Sequence, residues 1–278
     1  MKKIGFIDYY LDEWHANNYP AWIKSASNGE YEVAYAYGEI DSPIGGRTTE
    51  QWCADMSIER VDSIDELIEK SDYMILLSPD NPEMHWPLCQ KPLRSGKRTY
   101  VDKTFAPTAQ IARDLFKLAN DNGTPIFSSS ALRFSNELAA LPQKDVSFVL
   151  LSGPGNPENY LIHQIEPMVQ LIKEKAVRVQ YNGIEGAASY IVEFENGKLG
   201  TANLLVSGDF QTTVKFSDGE VAFVPESTGT FDNLILAMLK FFETGDIPVD
   251  GQETITIAEV LEAAHEAEKT PGTWVNIR

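Results

Sequence analysis

Residues Tyr73 to Thr108 read YMILLSPDNPEMHWPLCQKPLRSGKRTYVDKTFAPT. The stretch opens on Tyr73–Leu77, an apolar run without polar alternation, which is the pattern of a parallel strand buried on both faces. A Pro/Asn turn follows at Ser78-Pro79-Asp80-Asn81, with His85 close behind. A Gly-Lys turn at Ser95-Gly96-Lys97 leads into a short strand, Thr99–Asp102, that delivers Lys103. In an open α/β sheet, ligands bind at the carboxyl ends of the strands. A lysine there can reach a substrate oxygen, so Lys103 is the first candidate for chemistry.

The same grammar extends outward from this stretch. Lys3–Asp8, Tyr31–Tyr37 and Pro125–Phe127 read as further strands. The capping box Ser63-x-x-Glu66 opens a helix. Ile111, Leu115, Leu118 and Ala119 recur at helical spacing, and Gly123 ends that helix. Alternating strands and helices predict a Rossmann-like, doubly wound parallel sheet over residues 1–130. Beyond about Ala131 the pattern changes. Val146–Leu151, Val177–Tyr181, Ser189–Glu195, Leu199–Val206, Thr212–Phe216 and Val221–Val224 read as strands, with Asn196-Gly197 and Asp218-Gly219 as tight-hairpin signals. Residues 131–278 are therefore expected to form an α+β domain with a largely antiparallel sheet. It would carry a helix over Asp232–Glu243 and a last helix opened by Thr256-x-x-Glu259, stopped at Pro271-Gly272.

The bulk chemistry narrows the partners. The chain has 278 residues, 43% hydrophobic and 23% charged, which suits a globular protein with an ample core. Its formal net charge of −18 argues against nucleic acid and against anionic membranes, both of which need a basic face. No apolar run approaches the ~18 residues of a membrane span. The opening MKKIGFIDYY is soon broken by Asp8, Asp12 and Glu13, so it lacks the apolar region of a signal peptide, and the cytoplasm is the expected location. Two cysteines, Cys53 and Cys89, do not make a disulfide framework. Asp8, Asp12 and Glu13 lack the histidine or ligand spacing of a metal site, and none is expected.

The order of parallel sheet then antiparallel sheet resembles the glucose–fructose oxidoreductase / inositol dehydrogenase (Gfo/Idh/MocA) family. The likeness is most specific at Ser78-Pro79-Asp80-Asn81, His85, Ser95-Gly96-Lys97-Arg98 and Val101-Asp102-Lys103-Thr104. It continues through Ala106-Pro107-Thr108, Asn122-Gly123, Arg133 and the closing IAEVLEAAHEAEKTPGTWV. The resemblance implies a dehydrogenase using NAD or NADP on a CH–OH group of a sugar, cyclitol or related polyol. Lys103 stands where the family lysine of E-K-P meets substrate and nicotinamide ribose, although Asp102 replaces the Glu and Thr104 the Pro. In ENYLIHQIEP, His163 fits the family's general base, with Asn159 where an Asp is usual and Glu166 further along the same face. Lys103, His163 and Asn159 are thus the catalytic candidates, and Arg133 and Glu166 the substrate-binding ones. The cofactor would touch Asp8, Tyr9, Tyr10, Leu11, Ser78, Asp80, Asn81, His85, Asp102 and Lys103. Glu39 and Asp41 could hold an adenosine ribose, which would favour NAD; they also read as ordinary loop acids.

The first strand–helix turn departs furthest from the family. A dinucleotide fold wants G-x-G-x-x-G there, to make the turn and let the backbone approach the pyrophosphate. This chain has Asp8-Tyr9-Tyr10-Leu11-Asp12-Glu13. Three acids beside a diphosphate are expected to repel it, at on the order of 3 kcal/mol for each pair ~5 Å apart at an effective dielectric of ~20. The rival expectation is accordingly a non-redox, carbohydrate-binding or regulatory protein that keeps the fold without the nucleotide. The antiparallel sheet of the second domain is expected to pair the chain into a homo-oligomer.

Overall fold

The apolar runs of the first half pair in parallel in a computed structural model that describes residues 1–278. Strands β1 (Lys2–Asp8), β2 (Tyr31–Gly38), β3 (Glu59–Arg60), β4 (Tyr73–Leu76), β5 (Thr99–Val101) and β6 (Ile126–Phe127) form one sheet in the order β3-β2-β1-β4-β5-β6. Every pairing in it is parallel, with the reversal of winding between β1 and β4. Helices α1 (Trp14–Ala26), α2 (Thr49–Met56), α3 (Ile64–Lys70), α4 (His85–Cys89) and α5 (Ala109–Asp121) connect the strands. Ile4, Phe6, Ile7, Met74, Ile75 and Leu76 are wholly buried, as expected of strands covered on both faces.

The chain divides into two compact units, and the first is not one continuous stretch. It takes Met1–Ala106, Gln110–Ser129 and, from far along the chain, Leu234–Gly251. Helix α9 (Thr230–Thr244; helices α6–α8 are defined below) supplies much of that last piece. Phe242 stacks on Tyr73 with centroids 4.9 Å apart, and Phe241 meets Phe127 edge-on at 5.0 Å. Arg98 donates to the carbonyls of Phe242 and Glu243, satisfying acceptors that the helix end would otherwise leave open.

The second unit holds Pro107–Ala109, Ser130–Asn233 and Gln252–Arg278. Helices α6 (Asn136–Ala139), α7 (Pro157–Tyr160), α8 (Ile162–Ile172) and α10 (Gly251–Glu268) accompany strands β7 (Val146–Pro154), β8 (Ala176–Ile184), β9 (Ala187–Phe194), β10 (Leu199–Leu205), β11 (Gln211–Phe216), β12 (Val221–Val224) and β13 (Trp274–Asn276). The sheet order is β12-β11-β7-β10-β9-β8-β13, antiparallel except where β7 and β10 run parallel. One sheet face joins α8 and α10 in an apolar core with Val149, Val179, Val192, Ile165, Met168 and Val260. On other strand positions Leu150, Leu205, Val221 and Phe223 are exposed.

Several local expectations are met in detail. Asn196 and Gly197 take φ of 61° and 73°, the left-handed pair that the tightest hairpin turns require. The Ser63 hydroxyl accepts from Glu66 N–H at 3.1 Å and starts α3. The start of the last helix is a correction: α10 begins at Gly251, so Thr256 lies inside it. Thr254, upstream of the capping signal, is already buried in that helix, and burial outweighs a weak local cap. Pro167 sits inside α8, where it cannot donate to the carbonyl of His163.

Candidate functional site

The first cluster lies at the strand ends of the parallel sheet. Asp8, the last residue of β1, is 1% exposed. Its Oδ1 accepts from the Ser78 hydroxyl at 3.0 Å, and Ser78 Oγ in turn accepts from Tyr9 N–H at 2.9 Å. Asp8 Oδ2 is buried without a hydrogen-bond partner. Burial pushes this carboxyl far above the usual carboxylate range. Glu13 caps α1, its side chain accepting from His15 N–H at 2.7 Å and from Ala16 N–H. The residue is partly exposed, but its carboxyl end is enclosed; burial and then the neighbouring Asp8 drive its proton affinity up as well. Asp12 behaves in the opposite way. Arg47 donates to it from Nη2 at 2.6 Å, from Nε at 3.2 Å and from its main chain at 2.8 Å, and holds the carboxyl down to about 2.

These states correct the expected repulsion. Of the three acids, one is paired with Arg47, and burial raises the proton affinity of the other two, so the turn presents less negative charge than its sequence suggests. What stands in the way of a diphosphate is occupancy. A dinucleotide fold uses the first-turn N–H groups of this helix to hold the pyrophosphate. Here the Glu13 carboxyl already takes those of His15 and Ala16. No residue from Tyr9 to Glu13 has the positive φ that a glycine would allow. As the turn stands, its residues do not fit a pyrophosphate. Leu11 is buried, and Tyr9 and Tyr10 meet edge-on at 6.0 Å.

At the end of β5, Asp102 is fully engaged. Its Oδ2 meets His15 Nδ1 at 2.5 Å, and its Oδ1 accepts from Tyr100 OH at 3.0 Å and Lys103 N–H at 2.8 Å. Burial disfavours charge on both members of the His15–Asp102 pair, but their mutual attraction prevails, raising the histidine and lowering the aspartate. The His15 ring stacks on Tyr19 at 5.2 Å. Neither His15 nor Tyr19 stands out in the sequence. Lys103 is 7% exposed, with Nζ 3.3 Å from the Pro79 carbonyl and 3.8 Å from Asp80 Oδ1. The Lys103–Thr104 peptide is cis, although Thr104 is not proline.

His85, expected at the cofactor, has another role. Its ring nitrogens face the carbonyls of Phe105 at 2.9 Å and Leu77 at 2.7 Å, and the residue is wholly buried. It clamps the end of β4 to the segment that follows Lys103, leaving no nitrogen for a nucleotide. Asn81 donates to Glu83 at 2.9 Å and Asp80 is exposed. Glu39 accepts from Tyr37 OH at 2.7 Å, and Asp41 caps Thr49 N–H at 2.7 Å. The latter contact helps start α2.

The second cluster belongs to the other unit. Ser130, missed in the sequence, joins two predicted residues: its Oγ meets His163 Nδ1 at 2.7 Å and its N–H donates to Glu166 Oε2 at 2.6 Å. Glu166 also accepts from Arg133 Nε at 2.7 Å, and Arg133 reaches Glu253 from Nη2 at 2.6 Å. Arg133 and Glu166 are buried, so both substrate-binding candidates are spent on a buried ion pair. Asn159 lies one turn before His163 and is partly exposed, its N–H capped by Asn156 Oδ1 at 3.0 Å. The His163 ring lies between Tyr160 and Phe210, edge-on to both. The only advance signal for Ser130 was the Ser128-Ser129-Ser130 run after β6.

No model of a known protein family and no curated protein sequence matches the chain. Solved structures do. Myo-inositol dehydrogenase from Lactobacillus casei, solved with NAD(H) and myo-inositol, is 15% identical, with 100% of this chain and 97% of that one covered at a TM-score of 0.80. GenD2 from gentamicin A biosynthesis, solved with NAD, is 13% identical over 100% and 97%, at 0.78. UDP-N-acetylglucosamine 3-dehydrogenase from Acidithiobacillus ferrooxidans is 13% identical over 95% and 97%, at 0.76. This chain has the fold of those dehydrogenases. The two-part architecture implied by the Gfo/Idh/MocA resemblance is therefore the one observed, along the full length of the chain.

Proposed function

We propose that the chain is an oxidoreductase acting on a CH–OH group of a sugar, cyclitol or related polyol, with NAD or NADP as hydride acceptor or donor. The observation that carries this reading is Lys103. A nearly buried ammonium just past the carboxyl end of β5, close to the Pro79 carbonyl and with its main-chain N–H bound by Asp102, suits recognition of a substrate oxygen. The solved dehydrogenases of the same fold support it, two of them holding NAD and one also a cyclitol. In this reading Lys103 is the group of the first unit that meets the substrate hydroxyl. The nicotinamide supplies only the hydride chemistry.

A second reading rests on the turn after β1. If the Glu13 cap is permanent, the fold is kept for binding or regulation without redox chemistry. Titration of the purified protein with NADH and NADPH, read by nucleotide fluorescence and thermal shift, separates the two. Silence toward both nucleotides at millimolar concentration would sink the dehydrogenase reading. The same proposal includes a cytoplasmic homo-oligomer formed through the sheet of the second unit, where Val221 and Phe223 are about 60% exposed. A monomeric mass by light scattering would remove that part.

A further inference from the structure

We infer that Glu13 is a built-in occupant of the phosphate position: its carboxyl holds the α1 donors that a diphosphate would use, and a dinucleotide binds the first unit only by displacing it. This rests on the dinucleotide reading above and makes it more specific.

Two independent observations carry the inference. The first is the cap itself. Glu13 has extended backbone at φ −131°, and its two carboxyl oxygens take separate N–H groups, one from His15 and one from Ala16. A carboxylate bridging adjacent main-chain donors at a helix start mimics two oxygens of a bound phosphate. The helix it caps has 13 residues, long enough to present a full first turn. The second observation is Asp8. Its Oδ2 is buried with no partner, and the residue is close enough to Glu13 to raise the proton affinity of that carboxyl. The closed turn thus leaves a polar atom unsatisfied beside the cap. In its protonated form it would donate to an incoming ligand oxygen.

The arrangement also accounts for the missing glycines. Glycines in this turn let phosphate oxygens approach the backbone. A side chain that brings its own oxygens to the donors needs no such approach. Arg47 and the Asn17 side chain take Asp12, and Glu13 is the acid of the turn that caps the helix.

The test compares wild type with Glu13→Ala, Glu13→Gln and Glu13→Ser, using NADH fluorescence titration and calorimetry with inorganic pyrophosphate. Glu13→Ala removes the cap oxygens, and both probes are expected to bind about tenfold tighter than to wild type. Glu13→Gln keeps a capping oxygen without the charge and should stay within about threefold of wild type. Equal gains for Gln and Ala would show that the capping oxygens were not the obstacle and overturn the inference. Glu13→Ser caps with a single shorter oxygen, preserves the helix start if the Ala variant fails to fold, and should gain less than Ala but more than Gln. Unchanged affinities in both Ala and Ser also overturn it. Gain toward pyrophosphate with no NADH binding in any variant upholds the inference while removing the redox reading. Equally tight NADH binding by wild type and Glu13→Ala does the reverse.

Discussion

Replacing Asp8 with asparagine should make the first unit more stable at neutral pH and flatten its pH dependence. Asp8 Oδ2 has no partner, and burial raises the group from its ordinary 3.8 to about 8. In the unfolded chain the carboxyl ionises above pH ~4. In the folded protein it keeps its proton until about pH 8. Between those values the folded state binds the extra proton, so unfolding free energy falls as pH rises. The contribution is fully present below pH ~4, is lost progressively up to about 8, and changes no further above it. One proton corresponds to a slope of ~1.4 kcal/mol per pH unit, and the whole span to on the order of 5 kcal/mol. No discount for solvent screening applies, because the residue is 1% exposed. The amide side chain of the Asp8→Asn variant would keep an oxygen for the Ser78 hydroxyl and have no charge to form. Glu13 titrates in the same direction and leaves a residual slope in the variant. Urea unfolding from pH 5 to 8 measures this directly. Of the five tryptophans, Trp14, Trp22, Trp52 and Trp86 lie in the first unit and Trp274 in the second, so fluorescence follows mainly the unit being tested. Wild type and Asp8→Asn should diverge with rising pH, the variant ahead. Parallel lines across that range would refute the reasoning.

Other changes should have separable effects. Arg133→Met leaves Glu166 buried without its cation and should cost ~3–5 kcal/mol in urea unfolding, whereas the double change with Glu166→Leu recovers much of that loss. Phe241→Ala removes a wholly buried ring packed on Phe127 and should destabilise the first unit by ~3–5 kcal/mol, seen as an earlier tryptophan transition. Ser130→Ala removes the partner of His163 Nδ1; the ring-nitrogen NMR signals of His163, one of four histidines, should move toward a tautomer average. Cys53 and Cys89 are buried, with thiols pushed upward by burial, so both should react with a thiol reagent only at the rate of unfolding.

The parallel sheet was legible because strands buried on both faces have nowhere to put polar residues, and Lys3–Asp8 and Tyr73–Leu77 show it directly. Asn196-Gly197 was legible because few residue pairs tolerate two consecutive left-handed conformations. The acids after β1 were misread for a physical reason. Sequence supplies formal charge, but protonation depends on burial and partners, and Arg47 reaches Asp12 from 35 residues away. Ser130 was missed because its role is to join Glu166 and His163, a relation that exists only in space. The parallel pairing of β7 with β10, and the return of Leu234–Gly251 to the first unit, arise from long-range packing with no local signature.

That return has a consequence for synthesis. The ribosome makes β1 to β6 early, yet the aromatic cover on Tyr73 and Phe127 comes from Phe241 and Phe242 of α9. At ~5–20 residues per second, roughly a hundred intervening residues take on the order of ten seconds to emerge. Throughout that interval the nascent sheet has an uncovered apolar side, the kind of surface that holding chaperones recognise. A fragment ending near residue 130 would remain in that state indefinitely and should be recovered as aggregate.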